Sequence, residues 1–135
     1  MKKILLGILS LFFLGSVFAQ DTVTFNVDMS ADTTFNPTTQ NVYISGSFAG
    51  WAEPGSDTTL QLAPSLTDSM NYTLTITGIA EGEIQYKYFL VESTPDWNNG
   101  EWPGGLNRVA VITGKTILNN TWANKPFQVT FNVDM

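Results

Sequence analysis

The chain is 135 residues long, carries a formal charge of −6, and contains neither cysteine nor histidine. Disulfides, thiolate metal sites and cysteine nucleophiles are therefore excluded, and the commonest acid–base group is missing, which weakens the case for an enzyme. The acidic balance argues against nucleic acid or an anionic lipid surface as partner, and simple solubility explains it without any partner.

Residues 1–19, MKKILLGILSLFFLGSVFA, have the form of a secretory signal. Lys2 and Lys3 supply the charged start, Ile4 to Leu14 the apolar middle, and Val17 and Ala19 the small residues before a cleavage site. The apolar run is too short for a membrane anchor. The mature chain is expected to begin at Gln20 and to be exported to the cell surface or beyond. Without the signal, four basic residues face twelve acidic ones, a net charge of −8. What remains suffices for one domain of about 100 residues.

Val23–Met29, VTFNVDM, alternates apolar and polar residues and reads as a half-buried strand. The same seven residues return at Val129–Met135, one domain length later. The repeat predicts a domain over 20–122, a linker over 123–128, and the first strand of a truncated second copy over 129–135, in a fragment of a longer tandem protein. The alternative is that the last strand pairs within a single domain.

Between these ends the pattern is all β. Ala31–Gln40 reads as a connection, and Val42–Phe48 as a strand with Val42, Ile44 and Gly46 on one face. Gly50-Trp51 opens a turn-rich stretch. Leu60 and Leu62 mark a short strand, and Pro64–Met70 a turn region. Tyr72–Thr77 alternates cleanly, with Tyr72, Leu74 and Ile76 inward. From Glu83 onward, Ile84, Tyr86, Tyr88 and Leu90 are expected to face a core, which leaves Lys87 on the outer face. A long loop rich in Asn, Gly and Pro follows, carrying Trp97 and Trp102. Such a loop in a small domain points to function. Arg108–Ile112 and Lys115–Leu118 predict a hairpin around Thr113-Gly114. Trp122 is expected to pack on the core or the linker. About seven or eight short antiparallel strands without helical periodicity predict an all-β immunoglobulin-like β-sandwich.

Three segments occur in a telling order: Gly46-Ser47-Phe48-Ala49-Gly50-Trp51, then Ile84-Gln85-Tyr86-Lys87-Tyr88, then Glu101-Trp102 with Asn107-Arg108 behind it. Together they resemble the starch-binding domains of carbohydrate-binding module families twenty and forty-eight, over roughly Asp21 to Trp122. VTFNVDM also looks like repeats of large secreted bacterial proteins. The resemblance implies a non-catalytic module for α-glucan, with no cofactor. Carried over, Trp51 matches the first platform tryptophan, Lys87 the lysine beside it, Trp102 the second platform, and Asn107 a polar contact to sugar hydroxyls. Glu101 precedes its tryptophan, where many members carry the acid after it. Trp97 has no counterpart and joins the candidate site as a peripheral contact or as packing.

The residue chemistry suits that class. An α-glucan presents apolar C–H faces rimmed by hydroxyls. Flat indoles cover the faces, while Lys and Asn supply directional hydrogen bonds. Each stacked tryptophan contributes about 1–2 kcal/mol, so two platforms give a Kd of roughly micromolar to millimolar. Plainer roles fit the same residues: Trp51 capping the core at a turn, Lys87 solvated on a strand, Trp102 folded beneath its loop, Asn107 holding that loop, Arg108 paired with Glu101. A structural or adhesive repeat that keeps the fold without a sugar site is the competing reading, and an accessory module of an enzyme a third. Asp96, Asn98, Asn99 and Glu101 faintly resemble a calcium loop, and Asp96 with Glu101 a glycosidase acid pair, but the full ligand pattern and an enclosing cleft are missing.

Overall fold

The computed structural model describes residues 21–102 and 104–123. The expected signal, the linker from residue 124 on and the second VTFNVDM lie outside the described residues. Within them, seven strands form: β1 (Thr22–Asp28), β2 (Asn41–Gly46), β3 (Ala63–Pro64), β4 (Asn71–Thr77), β5 (Gly82–Val91), β6 (Arg108–Ile112) and β7 (Thr116–Thr121). They divide into a four-stranded sheet, β3-β4-β1-β7, and a three-stranded sheet, β2-β5-β6. The two layers enclose one core, and the all-β sandwich expected from the alternation is present.

β1 shows why. Val23, Phe25, Val27 and Met29 are fully buried, while Thr24, Asn26 and Asp28 are only half-covered. Its polar face is bonded sideways, Thr24 to Thr75 and Asn26 to Asn119, each at 2.9 Å. Phe25 stacks on Phe48 and meets the edge of Tyr86, each at 5.3 Å between ring centroids, and so joins the layers. Trp122 is half-buried against the core, and its N–H donates to the Asp28 carbonyl.

Three local expectations are corrected. Leu60 ends a 3₁₀ turn, Thr58–Leu60, whose first turn is capped by the Asp57 carboxylate; only a single bridge, Gln61 to Tyr43, pairs there. Arg108–Ile112 and the strand after Gly114 do not make a hairpin. β6 joins β5, whereas β7 crosses to the other sheet and pairs with β1 in parallel, Phe25 opposite Leu118. The turn chemistry of Thr113-Gly114 suits a hairpin and a sheet-crossing corner equally. Lys87 is not solvated either, at 9% exposure. From Tyr86 to Val91 both faces of β5 are buried, because the loop after it folds back over the outer face.

Tyr86 and Tyr88 hold the sandwich interior at one polar point. Both hydroxyls donate to Asn120 Oδ1, at 3.0 and 2.9 Å. Burial pushes the Tyr86 phenol up and the Tyr88 phenol well above the ordinary value of 10.0. In the unfolded chain both lose their protons near pH 10, so folding stability is intact below that pH and falls as pH rises above it. Denaturant midpoints measured across alkaline pH are expected to decline from about pH 10, and less steeply in a Tyr86→Phe/Tyr88→Phe protein. If all four tyrosines ionise together in the native state, by phenolate absorbance, the burial argument fails.

Candidate functional site

The site lies on the outer face of the three-stranded sheet, where β5 runs out of partner. β6 pairs with β5 only from Gly82 to Tyr86. Beyond it, the long loop supplies the missing edge. Glu101 N–H donates to the Tyr88 carbonyl, Leu90 N–H to the Asn99 carbonyl, and Gly100 bridges Phe89. The Tyr88 N–H finds the Glu101 carboxylate at 3.2 Å, a side chain standing where a strand would offer a carbonyl.

That carboxylate is buried and bound by Arg108. Nη2 lies 2.5 Å from Oε1, and Nε donates to both oxygens at 3.1 and 3.0 Å. Oε1 also accepts from the Ala123 N–H, and Arg108 donates to the Thr121 carbonyl. Neither side chain exposes more than 6% of its surface. The guanidinium sits 5.2 Å from the Trp102 ring centroid and 5.7 Å from that of Tyr88. The pairing of Arg108 with Glu101, one of the plainer readings of the sequence, is therefore what the structure contains. It commits Glu101 elsewhere than to a loop metal or a catalytic pair, while Asp96 is engaged by Asn98 through both its backbone and its amide.

Above this network lies an open depression of about 380 Å³ lined by Trp51, Lys87, Phe89, Trp97 and Asn107. Lys87 and Phe89 form part of its floor by strand alternation. Lys87 Nζ donates to the Trp102 carbonyl at 2.5 Å and lies 5.9 and 5.8 Å from the Phe89 and Trp102 ring centroids. One donor of three is thereby used, which leaves capacity toward a ligand. Asn107 reaches Gln85 Oε1 through its amide at 3.3 Å.

The two tryptophans at the depression come from two loops. Trp51 follows the 3₁₀ turn Ser47–Ala49 and adopts φ 55, a left-handed conformation rare for a bulky residue. Its N–H closes the turn on the Gly46 carbonyl, Ser45 Oγ holds the Ala52 carbonyl at 2.7 Å, and Ser47 Oγ accepts from the Gln85 N–H. Trp97 stands 44% exposed, edge-on to Phe89 at 5.5 Å. The loops are joined where Asp96 N–H donates to the Pro54 carbonyl and Gly55 packs against Val91 and Pro95.

Four of the five residues singled out in the sequence therefore meet: Trp51, Lys87, Asn107 and Trp97. Trp102 does not. It is 5% exposed, drawn under its loop over Arg108, with its indole N–H bonded to the Leu106 carbonyl. Trp97 stands where a second exposed indole was expected of Trp102. Phe89 was overlooked, although alternation already placed it on the face of Lys87.

No family description and no curated protein matches the chain. Solved structures do. A γ-CGTase from alkalophilic Bacillus clarkii superposes with TM-score 0.55 and 16% identity over 76% of this chain. A glycoside hydrolase family 15 glucoamylase from Hypocrea jecorina gives 0.54 and 16% over 76%, and the Hormoconis resinae glucoamylase 0.52 and 19% over 84%. At such identities the likeness shows the fold alone. The chain spans 15%, 17% and 19% of those three chains.

Gly55 tests the junction between the loops. A Cβ there would meet Val91 Cγ1 at 2.9 Å and the Pro95 backbone at 3.2 Å, at φ +90. Gly55→Ala is expected to lower stability by about 1–3 kcal/mol and to alter tryptophan emission as the Trp97 loop shifts. Gly78→Ala, at φ +82 with open space around it, should cost only the backbone strain of about 1–2 kcal/mol and leave the emission unchanged. Identical emission from both proteins would separate Gly55 from the tryptophans.

Proposed function

We propose that the domain is a non-catalytic carbohydrate-binding module for α-glucan, using Trp51 and Trp97 as stacking platforms and Lys87 and Asn107 as hydroxyl partners. The observation that carries this reading is the convergence of two indoles, from separate and mutually braced loops, on one open depression with a lysine in its floor. An unfavourable backbone at Trp51 is retained there, and strain of this kind collects where a side chain must be presented. The fold neighbours, a γ-CGTase and two glucoamylases, are starch-processing enzymes, and the short share of them that is matched fits an accessory domain. Phe89 braces Trp97 from below.

The shallow shape suits the flank of a polymer and lacks the enclosure that bond cleavage demands. It exposes a limited apolar area, so single-site affinity is expected in the range of about micromolar to millimolar. Export through residues 1–19, and display of the module in successive copies along a longer chain, belong to the same proposal. An adhesive repeat with no sugar site is the competing class; the burial of Trp102, one of the two platforms expected from the sequence, favours it, and the same titration decides between them.

The test is titration with β-cyclodextrin or a maltooligosaccharide, followed by tryptophan fluorescence. The parent is expected to saturate. Trp51→Gly should stay folded within about 1 kcal/mol of the parent, since glycine accepts the left-handed backbone. It should bind about 5–30-fold more weakly, as should Trp97→Ala, from the loss of about 1–2 kcal/mol of stacking. Trp102→Ala is expected instead to lose about 3–5 kcal/mol of stability, the ordinary result of emptying a buried aromatic site. A parent protein silent up to millimolar sugar would sink the α-glucan reading.

A further inference from the structure

Lys87 reaches its place through an unusual relay. Its stem crosses Gly100, where an added Cβ would stand 2.9 Å from Lys87 Cε, and its ammonium ends on the Trp102 carbonyl. Both contacts are made with the stretch 100–102, which lies against the upper half of β5. Among the described residues, one backbone bond ties that stretch to β5, from the Glu101 N–H to the Tyr88 carbonyl, and Asn99 just before it accepts from the Leu90 N–H. Beside the packing of Trp102 and its indole bond to the Leu106 carbonyl, the stretch is anchored by the Glu101 side chain, bound at once by Arg108 from β6, by the Tyr88 N–H of β5 and by the Ala123 N–H after β7. Arg108 is tied in turn to the end of β7 through the Thr121 carbonyl. The carboxylate thus bonds to groups on or just beyond three strands, and the Trp102 carbonyl is the next peptide along.

We propose that the Glu101–Arg108 pair is a positioning device for the binding site: it fixes the Trp102 carbonyl that holds Lys87 in the floor of the depression. The inference deepens the α-glucan reading and rests on it for the ligand, but the relay itself is a property of the protein alone. A buried ion pair is an expensive way to close a loop, since apolar side chains of similar volume often do as well. What they cannot do is fix a backbone carbonyl through directional bonds from several strands. With the pair gone, the stretch 100–102 keeps its hydrophobic cover and the Glu101 N–H bond to Tyr88, but loses the side-chain bonds that tie it to β6 and to the end of β7. Lys87 then loses its acceptor and extends toward solvent. Glu101 and Arg108 touch no ligand; they act through Lys87.

Two readouts separate this role from ordinary stabilisation. The first is the rate of acetylation of Lys87 by a water-soluble acylating reagent, compared by peptide mass spectrometry with exposed Lys115 in the same molecule. In the parent, Lys87 should react at least tenfold more slowly than Lys115. In Glu101→Gln it should approach the Lys115 rate, at a temperature where circular dichroism and thermal unfolding show the protein folded. Should Glu101→Gln not fold, Glu101→Met/Arg108→Met removes the pair without leaving a lone buried charge and is read in the same way. The second readout is sugar affinity, expected to fall about tenfold in the folded variant with saturation retained. A folded variant in which Lys87 stays as protected as in the parent overturns the proposal. A parent that binds no sugar overturns the α-glucan reading but leaves the acetylation result to decide the relay.

Discussion

The constraint on which the site depends is that β5 is longer than its neighbour. β6 accompanies it only as far as Tyr86, yet β5 continues to Val91. The N–H and carbonyl groups of Tyr88 and Leu90 on that side need partners, because they are buried. The chain meets the need with two residues of a loop, Asn99 and Glu101, the Glu101 carboxylate standing in for one carbonyl. Glu101 can enter the interior only with its charge answered, and Arg108, the first residue of β6, stands where it can answer it. Breaking such a pair on one side costs about 3–5 kcal/mol, most of it from the charge left behind. The loop's path is thereby set by electrostatics and hydrogen bonding more than by its own sequence.

From that path the rest of the site follows. A loop returning along β5 must lie over the outer face of the strand, so Lys87 and Phe89 become a floor where alternation alone would leave them in water. The residues before the return are carried outward, and Trp97 with them. The 46–56 turn faces the same region because β2 pairs with β5 and ends opposite Tyr86. The two indoles meet through this register, and the bond from Asp96 to Pro54 holds the loops together. Nothing in either loop taken separately places both rings at one depression.

The strands were legible because the period of two is a local property. Val23–Met29, Tyr72–Thr77 and Glu83–Val91 each show it, and each forms the expected strand, although the outer face of the last is covered where alternation leaves it in water. Sheet membership was not local: the same Thr113-Gly114 corner suits a hairpin or a crossing, and the choice falls to β7, whose Ile117, Leu118 and Asn119 lie beside Thr24, Phe25 and Asn26 in β1. The site was legible as a set of residues and illegible as an arrangement. Trp102 matched a motif by its spacing to Asn107 and Arg108, but spacing does not say which neighbour carries the charge. With the acid at 101, immediately before the tryptophan, the carboxylate turns inward to Arg108 and the indole is packed over the guanidinium. The departure of Glu101 from the pattern of the domains the sequence resembles was the available signal. Its consequence, that Trp97 takes the exposed position, required the fold.

The parallel pairing of β1 with β7 has a further effect on how such a domain could act. Two adjacent parallel strands begin at the same end of the sheet and finish at the same end. The chain therefore enters the domain beside Asp21 and leaves it beside Asp28, where the Trp122 N–H is bonded. Had the last strand been antiparallel to the first, entry and exit would share one end. A chain passing through from end to end would let the proposed successive copies follow one another in line, each presenting its own depression. Under the α-glucan proposal, one shallow depression would bind a stretch of polymer weakly. Several in line would bind it by effective concentration, with no change in any single contact.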